Sequence, residues 1–243
     1  MSKERFLEKE KILLRWLLLF DYTNRKLVSK LLGVSDGALS QFYRALNRSG
    51  LISFVRDPIS ISSSMKLIVL TKSGFERALT INDDFDIDSL VLKRHIPTSM
   101  VRHNLAIQSV LLDSGVDAYS VLSEKIIKKK FSNVQVVPDA IIAENGVRVG
   151  LEIELTRKKP SRVYYKFQQQ IGYLNSSSNI YEKVYWFFES KSLLANYKRI
   201  FDQEKWPLVD CVNSRYFIKE SSDSDFCFVP SDFDRDKFKF LMV

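Results

Sequence analysis

Apolar residues between Arg5 and Asp21 recur at helical spacing. Leu7, Ile12, Leu13, Trp16, Leu17 and Phe20 form one broad stripe and predict an amphipathic helix. Thr23 or Asn24 can cap a second helix holding Leu27, Val28, Leu31 and Leu32; Gly33 supplies a tight turn, and Ser35 can cap a third helix running to about Ser49. Then come a strand (Leu51–Arg56), a polar loop (Asp57–Ser64), a second strand (Met65–Leu70) and a short helix, Lys72 to Leu79, capped by Thr71. Asn82 to Asp88 holds four aspartates (83, 84, 86 and 88) and reads as an exposed connector, and Pro97 marks entry to the next element. From 98 the pattern predicts a helix (98–114), strands at 117–123, 134–143 and 147–156, a helix (161–175), a strand (182–189), a helix (191–204) and a late strand (213–219). The division this suggests is 1–80, a linker at 81–97, and 98–243.

Charge sharpens the first part. Residues 1–80 carry 14 Lys and Arg against 7 Asp and Glu, whereas 81–243 carry 23 against 22, so the formal charge of +8 sits almost wholly in the first third. That is the electrostatic footprint of a segment that meets phosphate. On the third helix Leu39, Phe42 and Leu46 face inward. Ser40, Gln41, Tyr43, Arg44, Asn47 and Arg48 occupy the other side, and each can donate a hydrogen bond to a base edge or a phosphate. The run LVSKLLGVSDGALSQFYRALNRSGLI (27–52), with its Leu-Gly-Val-Ser turn and Leu-Asn-Arg-Ser-Gly-Leu-Ile exit, resembles the winged helix-turn-helix family. The resemblance implies that Ser40, Gln41 and Arg44 lie in or near a major groove.

The second part offers carboxylates. Asn145-Gly146 within VQVVPDAIIAENGVRVGLEIELT (134–156) is a strong hairpin signal, and a two-residue loop there pairs positions that sum to 291. Asp139 then stands opposite Glu152, with Cβ atoms about 5 Å apart, and Glu154 follows on the same face. Ala140, Ile142, Val149, Leu151, Ile153 and Leu155 fill the other face, the expected core. Opposed like charges are destabilising, and a hard divalent cation, Mg²⁺ or Mn²⁺, is a natural ligand for such oxygens. Pro138-Asp139, twelve residues, then Glu152-Ile-Glu154 resembles the PD-(D/E)XK nuclease superfamily, as does the element order from 98 to 189. By that resemblance Asp139 and Glu152 hold the metal, which orients an attacking water, and Glu154 is a candidate further ligand. The superfamily lysine is missing: Glu154 stands in its place. Either the lysine has migrated, Lys166 being preferred over Lys158, or catalysis is lost. Gln169-Gln-Ile-Gly-Tyr173 resembles the Gln-x-x-x-Tyr helix motif of RecB-like members, which adds Gln169 to the catalytic candidates. His103, in Arg-His-Asn-Leu-Ala-Ile, is another. Lys125 to Lys130 reads as a polar loop.

Taken together, the fold class expected is α+β: an N-terminal winged helix-turn-helix followed by a PD-(D/E)XK restriction-endonuclease-like α/β core. A chain so arranged resembles the MobC-type plasmid relaxases and their replication-relaxation relatives, over residues 10 to 190. That implies metal-dependent nicking of supercoiled DNA at a plasmid transfer origin during mobilisation (conjugation), with an accessory mobilisation protein and a coupling protein as partners. A restriction or repair endonuclease, or a non-enzymatic winged-helix regulator, are the alternatives. Two cysteines, 211 and 227, are too few for a disulfide framework, and two histidines, 95 and 103, exclude a three-histidine metal site built from one copy. Ten tyrosines leave covalent attachment to a DNA end open, Tyr164, Tyr165 and Tyr173 lying nearest the proposed site. The apolar run Ile12–Phe20 is short and contains Arg15, and no signal-peptide pattern precedes it, so the expected location is the cytoplasm with no membrane insertion.

Overall fold

Every residue from Leu13 to Phe20 is buried in the last turns of α1 (Lys3–Phe20), so this helix is enclosed on all sides and not only along its stripe. The computed structural model describes residues 2–62, 65–83, 90–93, 95–131, 134, 136–219 and 227–243. The chain forms two compact units, 1–129 and 130–243. Among the described residues no helix is long and apolar enough to cross a membrane.

In the first unit α1 leads into β1 (Tyr22–Asn24) and α2 (Arg25–Leu31), which Asn24 caps by accepting the Leu27 amide at 2.9 Å. Gly33 turns the chain at φ +62°, a conformation that suits glycine. One 3₁₀ turn (Gly37–Leu39) intervenes, and α3 (Ser40–Arg48) begins five residues after the cap expected at Ser35. Strands β2 (Ile52–Arg56) and β3 (Lys66–Leu70) pair antiparallel, and β1 adds to the other side of β3. α4 (Lys72–Ile81) follows, capped by Thr71. Gly74 is required there, because a Cβ would come within 1.7 Å of the Leu51 carbonyl oxygen. This order and pairing are those of a winged helix-turn-helix. Residues 63 and 64 of the expected wing loop, and Asp84, Asp86 and Asp88 of the expected connector, lie outside the described residues.

The expected boundary at 81–97 is not where the units part. α5 (Thr98–Asp113) belongs to the first unit: fully buried Gln108 accepts from Trp16 Nε1 at 2.8 Å and donates to the Tyr22 carbonyl at 2.9 Å. Arg15, which interrupts the apolar run, donates to the Ala118 carbonyl at 3.1 Å. The expected strand at 117–123 reduces to β4 (Leu122–Ser123), and the lysine-rich segment expected to be a loop is a helix, α6 (Glu124–Lys130). Ile126 and Ile127 are buried there, and burying two adjacent apolar residues needs a defined backbone.

The second unit is built on β5 (Ala140–Glu144) and β6 (Val147–Glu154). Asn145 and Gly146 take φ of 51° and 80°, the positive values that a tight hairpin turn demands. Ala140 pairs with Leu151 and Glu144 with Val147, so the sum-291 register is the one observed. α7 (Pro160–Leu174) then crosses over to β7 (Lys183–Phe188), which lies parallel to β6. After α8 (Lys191–Phe201) come β8 (Trp206–Pro207), the antiparallel hairpin of β9 (Val209–Val212) and β10 (Arg215–Ile218), β11 (Cys227–Phe228) against β8, α9 (Asp232–Arg235) and β12 (Phe238–Met242). β12 runs parallel to β7, so within this unit the strands follow the order β5, β6, β7, β12. Phe167 of α7 is the hub of the core, with the rings of Trp186, Tyr197, Phe201, Trp206, Phe238 and Phe240 about it.

Candidate functional site

Each unit carries one candidate site. In the first, α3 divides cleanly into a buried stripe (Phe42, Tyr43, Leu46) and an exposed face of Gln41, Arg44, Asn47 and Arg48, with Ser40 half-buried at its start. Tyr43 corrects the sequence reading, which placed it outward. It is 3% exposed, meets Phe54 edge-on at 6.1 Å, and has the Arg25 guanidinium 5.1 Å above its ring. A core-facing stripe is wide enough to take two adjacent residues per turn, and here it takes 42 and 43 together. Burial drives the Tyr43 hydroxyl pKa well above its ordinary value.

In the second unit the observed register brings Asp139 and Glu152 level. The Asp139 amide donates to the Leu151 carbonyl at 2.9 Å, and Asp139 Oδ2 accepts the Ile153 amide at 2.8 Å. Glu152 and Glu154 were expected on the face opposite the core, yet they are 1% and 8% exposed. β6 sits between β5 and β7, and α7 supplies partners to Glu152: Lys166 Nζ donates to Oε2 at 2.6 Å and Gln170 Nε2 to Oε1 at 2.8 Å. Gln170 in turn accepts from Trp186 Nε1 at 3.2 Å, and Trp186 pairs with Glu152 across the β6–β7 ladder. Lys166 Nζ also lies 5.0 Å over the Trp186 ring. Lys158 lies farther off, 3.7 Å from Glu154 Oε2.

Burial pushes the Glu152 carboxyl up to about 8, with Lys166 opposing and Asp139 adding to the rise. Glu154 is also raised by burial, Lys166 and then Lys158 opposing. Burial acts against the Lys166 charge, but Glu152 and Asp139 outweigh it and hold the ammonium pKa above its usual value.

The sequence assigns Mg²⁺ or Mn²⁺ to Asp139, Glu152 and Glu154. Their oxygens are of the right chemistry for a hard cation. Among the described residues, however, no group of three or more His, Cys, Asp or Glu side chains is placed to hold a metal ion. Both Glu152 oxygens are engaged by Lys166 and Gln170, and Asp139 Oδ2 by a backbone amide. The arrangement does not fit a divalent cation; the positive charge beside the carboxylates is the lysine's own.

Two other candidates remain. Gln169 is exposed, and the residue that reaches Glu152 is Gln170. The spacing could have shown this, since Gln170 follows Lys166 by four and shares its helix face. His103 is half-buried on α5 of the first unit, while the carboxylate cluster consists of second-unit residues alone. Tyr164 donates to Gln203 at 2.6 Å and the Tyr173 hydroxyl accepts the Ile180 amide at 2.8 Å, both contacts that fasten local structure.

No protein-family model and no curated protein matches the chain. Among solved structures it is similar to a transcriptional regulator homologue from Pyrococcus horikoshii OT3, with 21% identity over 33% of this chain and 81% of that one and a TM-score of 0.28. It is also similar to a point mutant of MepR from a multidrug-resistant S. aureus clinical isolate, with 22% identity, 47% and 88% coverage and a TM-score of 0.29. A third is reduced AbfR bound to DNA, with 17% identity, 45% and 82% coverage and a TM-score of 0.28.

Proposed function

We propose that this protein binds double-stranded DNA through α3 of its first unit. The observation that carries the reading is the exposed face of Gln41, Arg44, Asn47 and Arg48, anchored from behind by Phe42, Tyr43 and Leu46. Amides and guanidinium groups at that spacing suit base edges and phosphates in a major groove, and the excess of basic residues in 1–80 supplies long-range attraction. The test is selection of binding sites from a random duplex pool, followed by anisotropy titrations of Arg44→Ala and Asn47→Ala. Loss on the selected site alone supports readout of sequence. Equal loss on any duplex reduces the face to a phosphate contact, and no duplex binding by the wild type overturns the proposal.

A second reading is phosphodiester cleavage by the second unit. Supporting it are the Asp139–Glu152 register, the crossover through α7 to a parallel β7 as in a PD-(D/E)XK core, and Lys166 supplying an ammonium where the motif lysine is absent. Its finer form is the one the relaxase resemblance implies: nicking at a transfer origin with mobilisation and coupling proteins as partners. The closed state of Glu152 weighs against it. Supercoiled plasmid incubated with Mg²⁺, Mn²⁺ or EDTA, comparing wild type with Glu152→Ala, decides: nicking that the variant loses supports cleavage. No nicking under any condition leaves a DNA-binding regulator whose carboxylates serve structure.

A further inference from the structure

A cavity of about 580 Å³ opens in the second unit, lined by the residues around the start of α7 and by the β9–β10 turn. Arg157, Lys159 and Arg162 line it from the first segment and Arg215 from the second, and among the described residues no carboxylate lines it. Lys158 also borders it but lies near Glu154. Among the described residues no ion pair is seen for Arg157, Lys159 or Arg215, and Arg162 reaches Glu154 only as a longer-range charge. Four such positive charges around one concavity repel one another, and an anion inside would relieve that repulsion.

The rest of the lining is two serines, Ser161 and Ser214, and two aromatic residues, Tyr216 and Phe217. Tyr216 is held by Tyr165, ring centroids 5.3 Å apart, and the Arg162 guanidinium lies 5.9 Å over its ring. Phe217 is 52% exposed, high for a side chain whose burial is favourable. Cations beside a half-buried ring such as Tyr216 are the pairing that holds a phosphate together with a stacked base. The volume falls within the range of pockets that enclose small ligands, roughly 300–1,000 Å³. A stacked duplex would offer this concavity only its backbone and leave the rings uncovered, whereas a strand can turn one base in.

We propose that this cavity binds a nucleotide of single-stranded DNA, its phosphate against Arg157, Lys159, Arg162 and Arg215 and its base against Tyr216. This site lies within the second unit and requires neither duplex recognition by α3 nor cleavage. The test is anisotropy of a labelled twelve-nucleotide oligo-dT with the full chain, competed by unlabelled oligo-dT, thymidine monophosphate, inorganic phosphate or duplex of the same length. Arg215→Ala and Tyr216→Ala are expected to weaken strand binding by about tenfold each, with duplex affinity unchanged. Arg215→Ala should also lower the salt slope of log K by about 0.7, while Tyr216→Ala leaves it alone. Tyr216→Phe, which keeps the ring, retains wild-type affinity and guards against a folding effect in the alanine variant. Wild-type strand binding in both alanine variants overturns the site. Competition by the monophosphate equal to that of the strand reassigns it to a free nucleotide, and loss of duplex binding together with strand binding overturns its independence from α3.

Discussion

On α3, Arg44 and Arg48 stand in water; on β6, Glu152 and Glu154 are almost wholly enclosed. The difference lies in what each element leaves free. A helix resting on one side of a core keeps the opposite side in solvent, so α3 can hold charge at little cost and present it to a ligand. A strand with neighbours on both edges and α7 supplying partners above has no such side, and charge placed there must find its counterpart within the protein. The cations of α3 are available to DNA, whereas the carboxylates of β6 answer first to Lys166 and Gln170. That is why the recognition face stands as the leading functional reading and cleavage as the second.

The contrast breaks most visibly at Lys166. Lys166→Met should leave Glu152 without its ammonium and lower unfolding free energy by about 3 kcal/mol at pH 9, where the carboxyl is ionised, the low end of the range for splitting a buried pair because Lys166 is partly exposed. The loss should be smaller at pH 6, where Glu152 can hold a proton, and duplex affinity should not move. Urea titrations at the two pH values check this; equal stability of variant and wild type at pH 9 would show that the pair does not matter to the fold. Arg44→Ala should do the reverse, costing about 1–3 kcal/mol of binding to a selected duplex and leaving thermal stability within about 0.5 kcal/mol.

Smaller effects sharpen the picture. Burial holds Glu152 at about 8 against an ordinary 4.5, so folding favours its protonated form. Its stabilising contribution is complete below about pH 4.5 and is lost as the pH climbs through about 8. Glu152→Gln, which cannot ionise, should flatten that decline in a series of melting temperatures from pH 5 to 9; a variant profile parallel to wild type removes Glu152 as its source. Smallest of all is Tyr43→Phe. Among the described residues the buried hydroxyl makes no hydrogen bond of normal geometry, the Arg25 guanidinium being the group beside it, so its removal should change stability by no more than about 0.5 kcal/mol and leave duplex affinity untouched. A loss of affinity would return Tyr43 to the recognition face.

What could be read from the chain alone was local. Asn24 and Thr71 cap the helices they were expected to cap, because a side-chain oxygen reaches an amide three residues on. Asn145-Gly146 fixed the β5–β6 register, because two residues with positive φ leave one way for the strands to pair. Lys166 could be nominated from its helix face, though not its partner. The tertiary structure decided whatever depended on distant residues. Gln108 meets Trp16 across 92 positions and draws α5 into the first unit, where charge and composition had suggested a boundary. Helix α6 forms from a lysine-rich segment because Ile126 and Ile127 have a core to enter, and β12 finds β7 some way back along the chain. α7 laid over β6 gave Glu152, one of the three expected metal ligands, a lysine and a glutamine as partners. Backbone angles and near neighbours are written in consecutive residues; the enclosure of a charge depends on what the rest of the chain brings to it, and no short window of sequence contains that.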